Sequence, residues 1–262
     1  MYLHPLLANV SRDEREALVK VTELRSCRRN EVLLQAEEWT DHIYCVASGL
    51  VRVVVHSSGD SSDATTDFIR QDDFFLGPTL TESRYQSDAT LIAALPSSVY
   101  LVPLATVRSL CARHPEVAVG LLELVMKRMS GIRKQLRRIS SLSSERLIGR
   151  VLHDLTQIAP AGASGYDKRI TQSVIASYSG LSREKVNKII RDMEGRGLIQ
   201  KDDESVQVPP SFASSDFQSP LSIEHNILES EPHLTGPDFF SRLLKEPDSK
   251  DGEEPPRGRR SG

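Results

Sequence analysis

Between Arg183 and Arg191 the chain places Arg183, Glu184, Asn187, Lys188 and Arg191 at i, i+1, i+4, i+5 and i+8, one continuous face if the segment is helical. Arginine and lysine can donate to guanine O6 and N7, and glutamate can accept from cytosine N4. Arg183 and Glu184 would fall in the first turn, the part of a recognition helix that points at base edges, with Asn187 and Lys188 one turn on. Lys185 and Arg191 add positive charge suited to phosphates on either side. Upstream, Thr171, Gln172 and Ser173 open another helical stretch, where free N–H groups and hydroxyls also suit phosphate. The competing reading is an ordinary solvated pair of helices with mixed charges.

The surrounding residues decide between these readings. Thr171 can cap a short helix whose buried face is Val174, Ile175 and Tyr178, with small Ala176 where a second helix must cross closely. Gly180 supplies a turn that needs positive φ, Ser182 caps the next helix, and Val186, Ile189, Ile190 and Met193 form its inner stripe. Two helices joined by a short glycine turn make a helix-turn-helix. Gly197 to Gln200 reads as a strand, with Val206 and Val208 as its return, which would make the unit winged. Upstream, Ser144 can cap a helix striped by Leu147, Ile148, Val151, Leu152 and Leu155, and Pro160 to Gly165 reads as a loop. Before these lies a rod in which Ala118, Leu122, Val125, Met129, Ile132, Leu136 and Ile139 step by 4, 3, 4, 3, 4 and 3. That narrow seam, flanked by Lys127, Arg128, Arg133, Lys134, Arg137 and Arg138, favours a self-paired dimerisation helix over one packing its stripe on its own domain. Ser140 to Ser144 interrupts the rod as a hinge.

The N-terminal part has a different period. Ser11 and Glu14 have capping-box spacing ahead of Ala17, Leu18 and Val21. From Val32 to Val102, short β-branched runs alternate with turn residues every 8–12 positions, the pattern of an all-β sandwich or barrel. Charge divides the same way. The net charge of −3 over 262 residues hides 16 basic against 6 acidic side chains in residues 127–201, a block of +10 between two acidic segments. Such a block is the footprint expected of a polyanion-binding surface. After residue 205 the composition changes, with eight of the 14 prolines between Pro209 and Pro256, so disorder is expected there. Within it, Phe239, Phe240, Leu243 and Leu244 would share a helical face able to dock on a protein partner, the alternative being an incidental apolar patch.

Cys27, Cys45 and Cys111 fit neither a disulfide framework nor a metal site. No apolar run reaches the roughly 18–20 residues of a membrane span, and the first residues lack the basic, then apolar, order of a signal peptide, so a cytoplasmic location without membrane contact is expected. The seven histidines show no HExxH pairing, and neither GxSxG nor a phosphate-cradling glycine loop occurs, so no enzyme and no metal centre is expected.

Several motifs resemble one family. Ile43-Tyr-Cys-Val-Ala-Ser-Gly49-Leu-Val51 resembles its sensor hairpin, and Asp72-Asp-Phe-Phe-Leu-Gly77 resembles its "Gly-Asp-Phe-x-Gly" step, with Asp72 where glycine is usual. Gly180-Leu-Ser-Arg-Glu-Lys-Val186 resembles its "Gly-x-Ser-Arg-Glu-Thr-Val", the most specific of the three. The family is the Crp/Fnr superfamily, the catabolite-activator and fumarate–nitrate regulators of bacterial transcription, and the likeness spans about residues 5–205. It implies an α+β fold: a double-stranded β-helix of the cyclic-nucleotide-binding type (1–113), a long dimerisation helix (114–140), a winged helix-turn-helix (141–208), then the tail (209–262). It further implies double-stranded DNA, a second copy of the chain and RNA polymerase as partners, and pseudo-palindromic sites with half-sites of the TGTGA type. Arg183, Glu184 and Lys188 take the places of the base-reading residues, Lys188 without the bidentate fork of the more common arginine.

The departures concern the effector. Where cyclic-nucleotide members carry a Gly-Glu pair for the ribose and an Arg-Ser pair for the phosphate, this chain has Gly77-Pro78 and Asp88-Ala89. Gly131 and Ile132 stand where hydroxyl residues contact adenine. Only Cys27 lies where redox members cluster cysteines. Neither cAMP in the usual mode nor an iron–sulfur cluster is expected, and the effector is left unassigned. The other class of function is a ligand-sensing or protein-interaction module that has lost DNA reading, against which the intact trio Arg183, Glu184 and Lys188 argues.

Overall fold

A computed structural model describes residues 4–56 and 63–213. A 3-10 turn at Pro5–Leu7 leads into helix α1 (Arg12–Val21), capped by the Ser11 hydroxyl, which accepts from the Glu14 amide. Of its three expected apolar positions only Leu18 is buried, and Val21 stands exposed at the last helical position.

Ten short strands follow: β1 (Glu23–Cys27), β2 (Val32–Leu34), β3 (Trp39–Thr40), β4 (His42–Ser48), β5 (Val51–Val55), β6 (Ala64–Ile69), β7 (Phe74–Phe75), β8 (Tyr85–Gln86), β9 (Thr90–Ala93) and β10 (Ser97–Pro103). They form two antiparallel four-stranded sheets, in the orders β1-β10-β4-β7 and β2-β9-β5-β6, with β3 and β8 as a separate pair. Facing side chains from the two sheets, among them Leu34, Ile43, Val46, Val51, Ile69, Leu91 and Val99, make a closed roll core. Gly49, between β4 and β5, has φ +85, and a Cβ there would lie 2.2 Å from the Pro96 carbonyl oxygen, so the hairpin motif requires glycine.

Helix α2 (Leu104–Arg113) and the long helix α3 (Pro115–Ser141) close the roll. At 1.5 Å per residue, the 27 residues of α3 span about 40 Å. Val117 and Leu121 bury one end of α3 in the roll core. The hinge is narrower than its serine run suggests. Ser140 and Ser141 stay helical and donate back to the Leu136 and Arg137 carbonyls, so the break falls at extended Leu142. Ser143, rather than Ser144, takes the cap position of α4 (Ser144–Ile158), and it makes no side-chain cap bond.

The C-terminal unit is larger than a helical hairpin with one wing. The expected loop at 160–165 is a hairpin, β11 (Pro160–Ala161) and β12 (Gly165–Asp167). It joins β13 (Gln200–Lys201) and β14 (Ser205–Gln207) in one sheet ordered β11-β12-β14-β13. The wing strand begins at Gln200 and not at Gly197, because Gly197 has φ +69 and turns the chain first. Between these strands lie α5 (Gln172–Ser179) and α6 (Arg183–Gly195). The stretch expected to be tail is ordered at its start: Pro210–Ala213 form a 3-10 turn, Phe212 packs on the second core, and Arg150 donates to the Ala213 carbonyl at 2.8 Å. The remainder, with its Phe239 to Leu244 docking segment, lies outside the described residues.

Leu50, Phe68, Ala94 and Leu95 of the roll share that second core with Leu152, Ile175, Val186 and Met193 of the helical unit. Phe68 meets Tyr178 edge to face, with centroids 5.0 Å apart. Tyr178 therefore faces the roll and not the interior of the helix pair, where the sequence pattern puts it. Phe68→Ala is expected to cost about 3–5 kcal/mol of unfolding free energy, measured by urea denaturation, with Trp39 fluorescence reporting the roll.

Candidate nucleic-acid interface

Thr171 caps α5 by accepting from the Val174 amide at 3.4 Å, and Ser182 caps α6 by accepting from the Lys185 amide at 3.3 Å. Between the helices Gly180 has φ 69 and ψ 18, a left-handed turn that most side chains would strain. Val174 and Ile175 on α5 and Val186, Ile190 and Met193 on α6 are buried, which fixes the angle of the pair. Ile189 is only half-buried, at the edge of that seam.

The outward face of α6 carries the predicted base readers. Arg183, Glu184 and Lys188 are exposed and Asn187 is half-buried, all along the first half of the helix. Lys185 and Arg191 flank them, exposed, and Thr171 and Ser173 lie exposed at the start of α5 with Gln172 half-buried. Thr171 uses an acceptor lone pair for its cap and keeps its O–H free to donate.

Charge pairing divides α6 into two halves. At its C-terminal end Arg196 pairs with Glu145 and Asp192, and Glu194 pairs with Lys201. Arg183, Glu184, Lys185, Lys188 and Arg191 form no hydrogen bond or ion pair through their side chains among the described residues. One end of the helix is thus committed to the fold, and the other presents unpaired donors beside one acceptor. The arrangement is what a ligand rich in phosphate and base edges would complete.

Sequence patterns did not indicate how this unit is held. Ser177 on α5 accepts from the Thr65 amide at 2.8 Å and donates to the Asp63 carbonyl at 2.7 Å, which ties α5 to strand β6. Arg52 and Asp63 of the roll face Ser182 and Arg183 across a cleft of about 530 Å³. A lone serine on a helix carries no sequence signal for such a contact.

In the roll, Gly77 to Ala89 is the segment where the family resemblance places a nucleotide cradle. A Cβ on Gly77 would lie 2.3 Å from the Tyr85 ring, and Tyr85 is fully buried with its hydroxyl donating to the His42 carbonyl. Pro78 and Asp88 are exposed, Ala89 is buried, and the Arg84 guanidinium lies over the Trp39 ring at 4.8 Å. Cys27 and Cys45 are buried, and burial pushes the Cys45 thiol up to about 12. Among the described residues no group of three or more His, Cys, Asp or Glu side chains could hold a metal ion. No helix among them is long and apolar enough to cross a membrane.

Comparison with known proteins matches this architecture. Residues 24–114 match a model of the cyclic nucleotide-binding domain, and residues 145–209 match a Crp-like helix-turn-helix domain. The chain is 24% identical over 178 residues to the cAMP-activated global transcriptional regulator CRP of Pasteurella multocida, covering 67% of this chain and 85% of that protein. It is 26% identical over 201 residues to a CRP-like cAMP-activated global transcriptional regulator of Mycobacterium tuberculosis, covering 74% and 88%. Among solved structures, FixK2 from Bradyrhizobium japonicum aligns with a TM-score of 0.66 at 17% identity, over 75% of this chain and 98% of that one. The c-di-GMP-responsive regulator CLP of Xanthomonas campestris aligns at 0.62 and 17% identity, over 76% and 99%.

The wing turn is organised around the Asp202 carboxyl. Bonds from the Ser205 hydroxyl, the Glu204 and Ser205 amides and the Gln207 side chain hold the Asp202 carboxyl well below the usual carboxylate range. A lowered folded-state pKa means this stabilisation is present above the ordinary aspartate value near 4 and is lost as pH falls through the lowered one. In Asp202→Ala the Glu204 and Ser205 amides are expected to exchange hydrogen faster than wild type at pH 6. The gap should close as the pH is lowered through the acid range.

Proposed function

The chain belongs to the Crp/Fnr superfamily of transcription regulators, and from that premise we propose that it reads DNA as a homodimer through the first half of α6. The observation that carries this reading is the exposed trio Arg183, Glu184 and Lys188, unpaired among the described residues, on a helix whose C-terminal charges Asp192 and Glu194 are paired internally. Arg183 and Lys188 donate to guanine, Glu184 accepts from cytosine, and Asn187 completes the base-reading face. Thr171, Gln172, Ser173, Lys185 and Arg191 hold the phosphates on either side.

The second copy follows from α3. Leu122 is 58% exposed and Leu136 65%, and Val125, Met129, Ile132 and Ile139 are exposed with them, a stripe at heptad spacing that the described residues leave uncovered. Two rods joined along this seam place two α6 helices about one DNA turn apart, roughly 34–36 Å, on a pseudo-palindromic site. Such a regulator works in the cytoplasm, where its DNA is, and meets RNA polymerase there. It is not an enzyme.

The named relatives are described as cAMP-activated, and for this chain a different effector is proposed. Pro78 offers neither an N–H nor a carboxylate to a ribose, and exposed Asp88 would repel a phosphate. Neither cAMP in the usual mode nor an iron–sulfur cluster fits these residues. A module that has lost DNA reading is the weaker account, since among the described residues nothing pairs with the side chains of Arg183, Glu184 or Lys188.

Arg183→Ala is expected to weaken binding to the preferred site by about 1–3 kcal/mol and to relax one base position, as seen in a gel shift; unchanged affinity would refute the assignment of α6. Leu136→Glu is expected to sediment as a monomer where the wild type sediments as a dimer.

A further inference from the structure

The α3 face formed by Arg128, Gly131, Gln135 and Arg138 turns toward its own subunit, about 100° around the helix from the exposed stripe. Here α3, β6, α4 and α5 do not close on one another. They leave a cavity of about 200 Å³ whose walls include Asp67, Gly131, Lys134, Gln135, Ile158 and Tyr178. A neighbouring cleft of about 410 Å³ shares Asp67, Gly131, Ile158 and Tyr178 with it.

Gln135 tells what the cavity lacks. It is only 8% exposed, in the middle of a basic rod, and its Nε2 donates to the Tyr178 carbonyl at 3.0 Å. Its Oε1 is buried with no hydrogen-bond partner. Flipping the amide would set Oε1 against a carbonyl oxygen, so the unpaired atom is an acceptor and a donor is missing. Charge gives a second requirement. Arg128 reaches Asp67 at 2.8 Å and Arg138 reaches Asp154 at 2.6 Å, which leaves Lys134 as the cation on this wall without a partner among the described residues. Shape gives a third. Gly131 has open space where a side chain would stand, and Ile158 and the Tyr178 ring offer apolar surface.

We propose that this cavity binds a small aromatic acid carrying an N–H or O–H donor. The donor bonds Gln135 Oε1, the carboxylate faces Lys134, and the ring lies over Gly131 beside Ile158 and Tyr178. The occupant would touch roll, rod and both helices of the reading unit, so its binding would favour one arrangement of these elements over others.

Calorimetry on the full chain without DNA tests this, and its outcome does not depend on the reading of α6. The probe is anthranilate, with benzoate as the matched acid that lacks the amine. Anthranilate is expected to bind with a Kd below about 1 mM, and benzoate about tenfold more weakly or less tightly still. Gln135→Leu is expected to reduce anthranilate to the benzoate level. Gly131→Leu, which fills the cavity from a helix position that tolerates it, is expected to abolish binding with thermal stability retained. No heat from anthranilate, equal binding of the two acids, or unchanged binding in both variants would overturn the proposal; the first of these is the outcome expected if an ordered water alone satisfies Gln135.

Discussion

The division of α3 into two faces is the constraint from which the other features follow. One face is buried by its own subunit: Val117 and Leu121 in the roll core, Arg128 on Asp67 and Asp73, and Gln135 on the Tyr178 carbonyl. The adjacent face keeps Leu122 to Ile139 uncovered. A helix with apolar residues on the second face as well as the first gains little by leaving that face in water, since each buried methylene contributes about 0.8 kcal/mol. In the proposed dimer the rod serves both as the wall of one subunit and as the seam with the next. The same helix is tied to the roll by Arg128, which pairs with Asp67 on β6 and with Asp73 beyond it.

The second core explains why the reading unit is not a loose appendage. Leu50, Phe68, Ala94 and Leu95 belong to the roll in sequence but pack with α4, α5 and α6. The Ser177 bonds to β6 add polar direction to that apolar contact. The only backbone break between rod and reading unit is the pair Leu142–Ser143, so a modest rotation there would have to exchange these contacts together. That is the kind of element two sites can bias in common.

Much of this was legible from local pattern. The β5 run, the α3 seam and the α5–turn–α6 spacing each follow one period and one set of turn residues, and the folded chain keeps them. What escaped depends on contacts between segments far apart in sequence. The strands at Pro160–Ala161 and Gly165–Asp167 are too short to show a period; the second is held by β14 and the first by the second. Tyr178 has the spacing of an inner residue, and only the position of Phe68, 110 residues earlier, turns it toward the roll. Phe212 sits among prolines and serines that read as disorder, yet it finds the α4 face beside Gly149. Gln135 reads as one more polar rod position, and its burial is decided by β6 and α5. The outward face of α6 needs no such contact to be seen: among the described residues Arg183, Glu184 and Lys188 are exposed and make no side-chain hydrogen bond or ion pair.

The central claim is that two copies of α6, set by one rod seam, read DNA together. Selection of bound sequences from a random double-stranded DNA library with the full-length chain tests it most directly. The account predicts enrichment of an inverted repeat whose half-sites lie about 10–10.5 base pairs apart, centre to centre. Recovery of no enriched sequence, or of a single half-site without dyad symmetry, would contradict it.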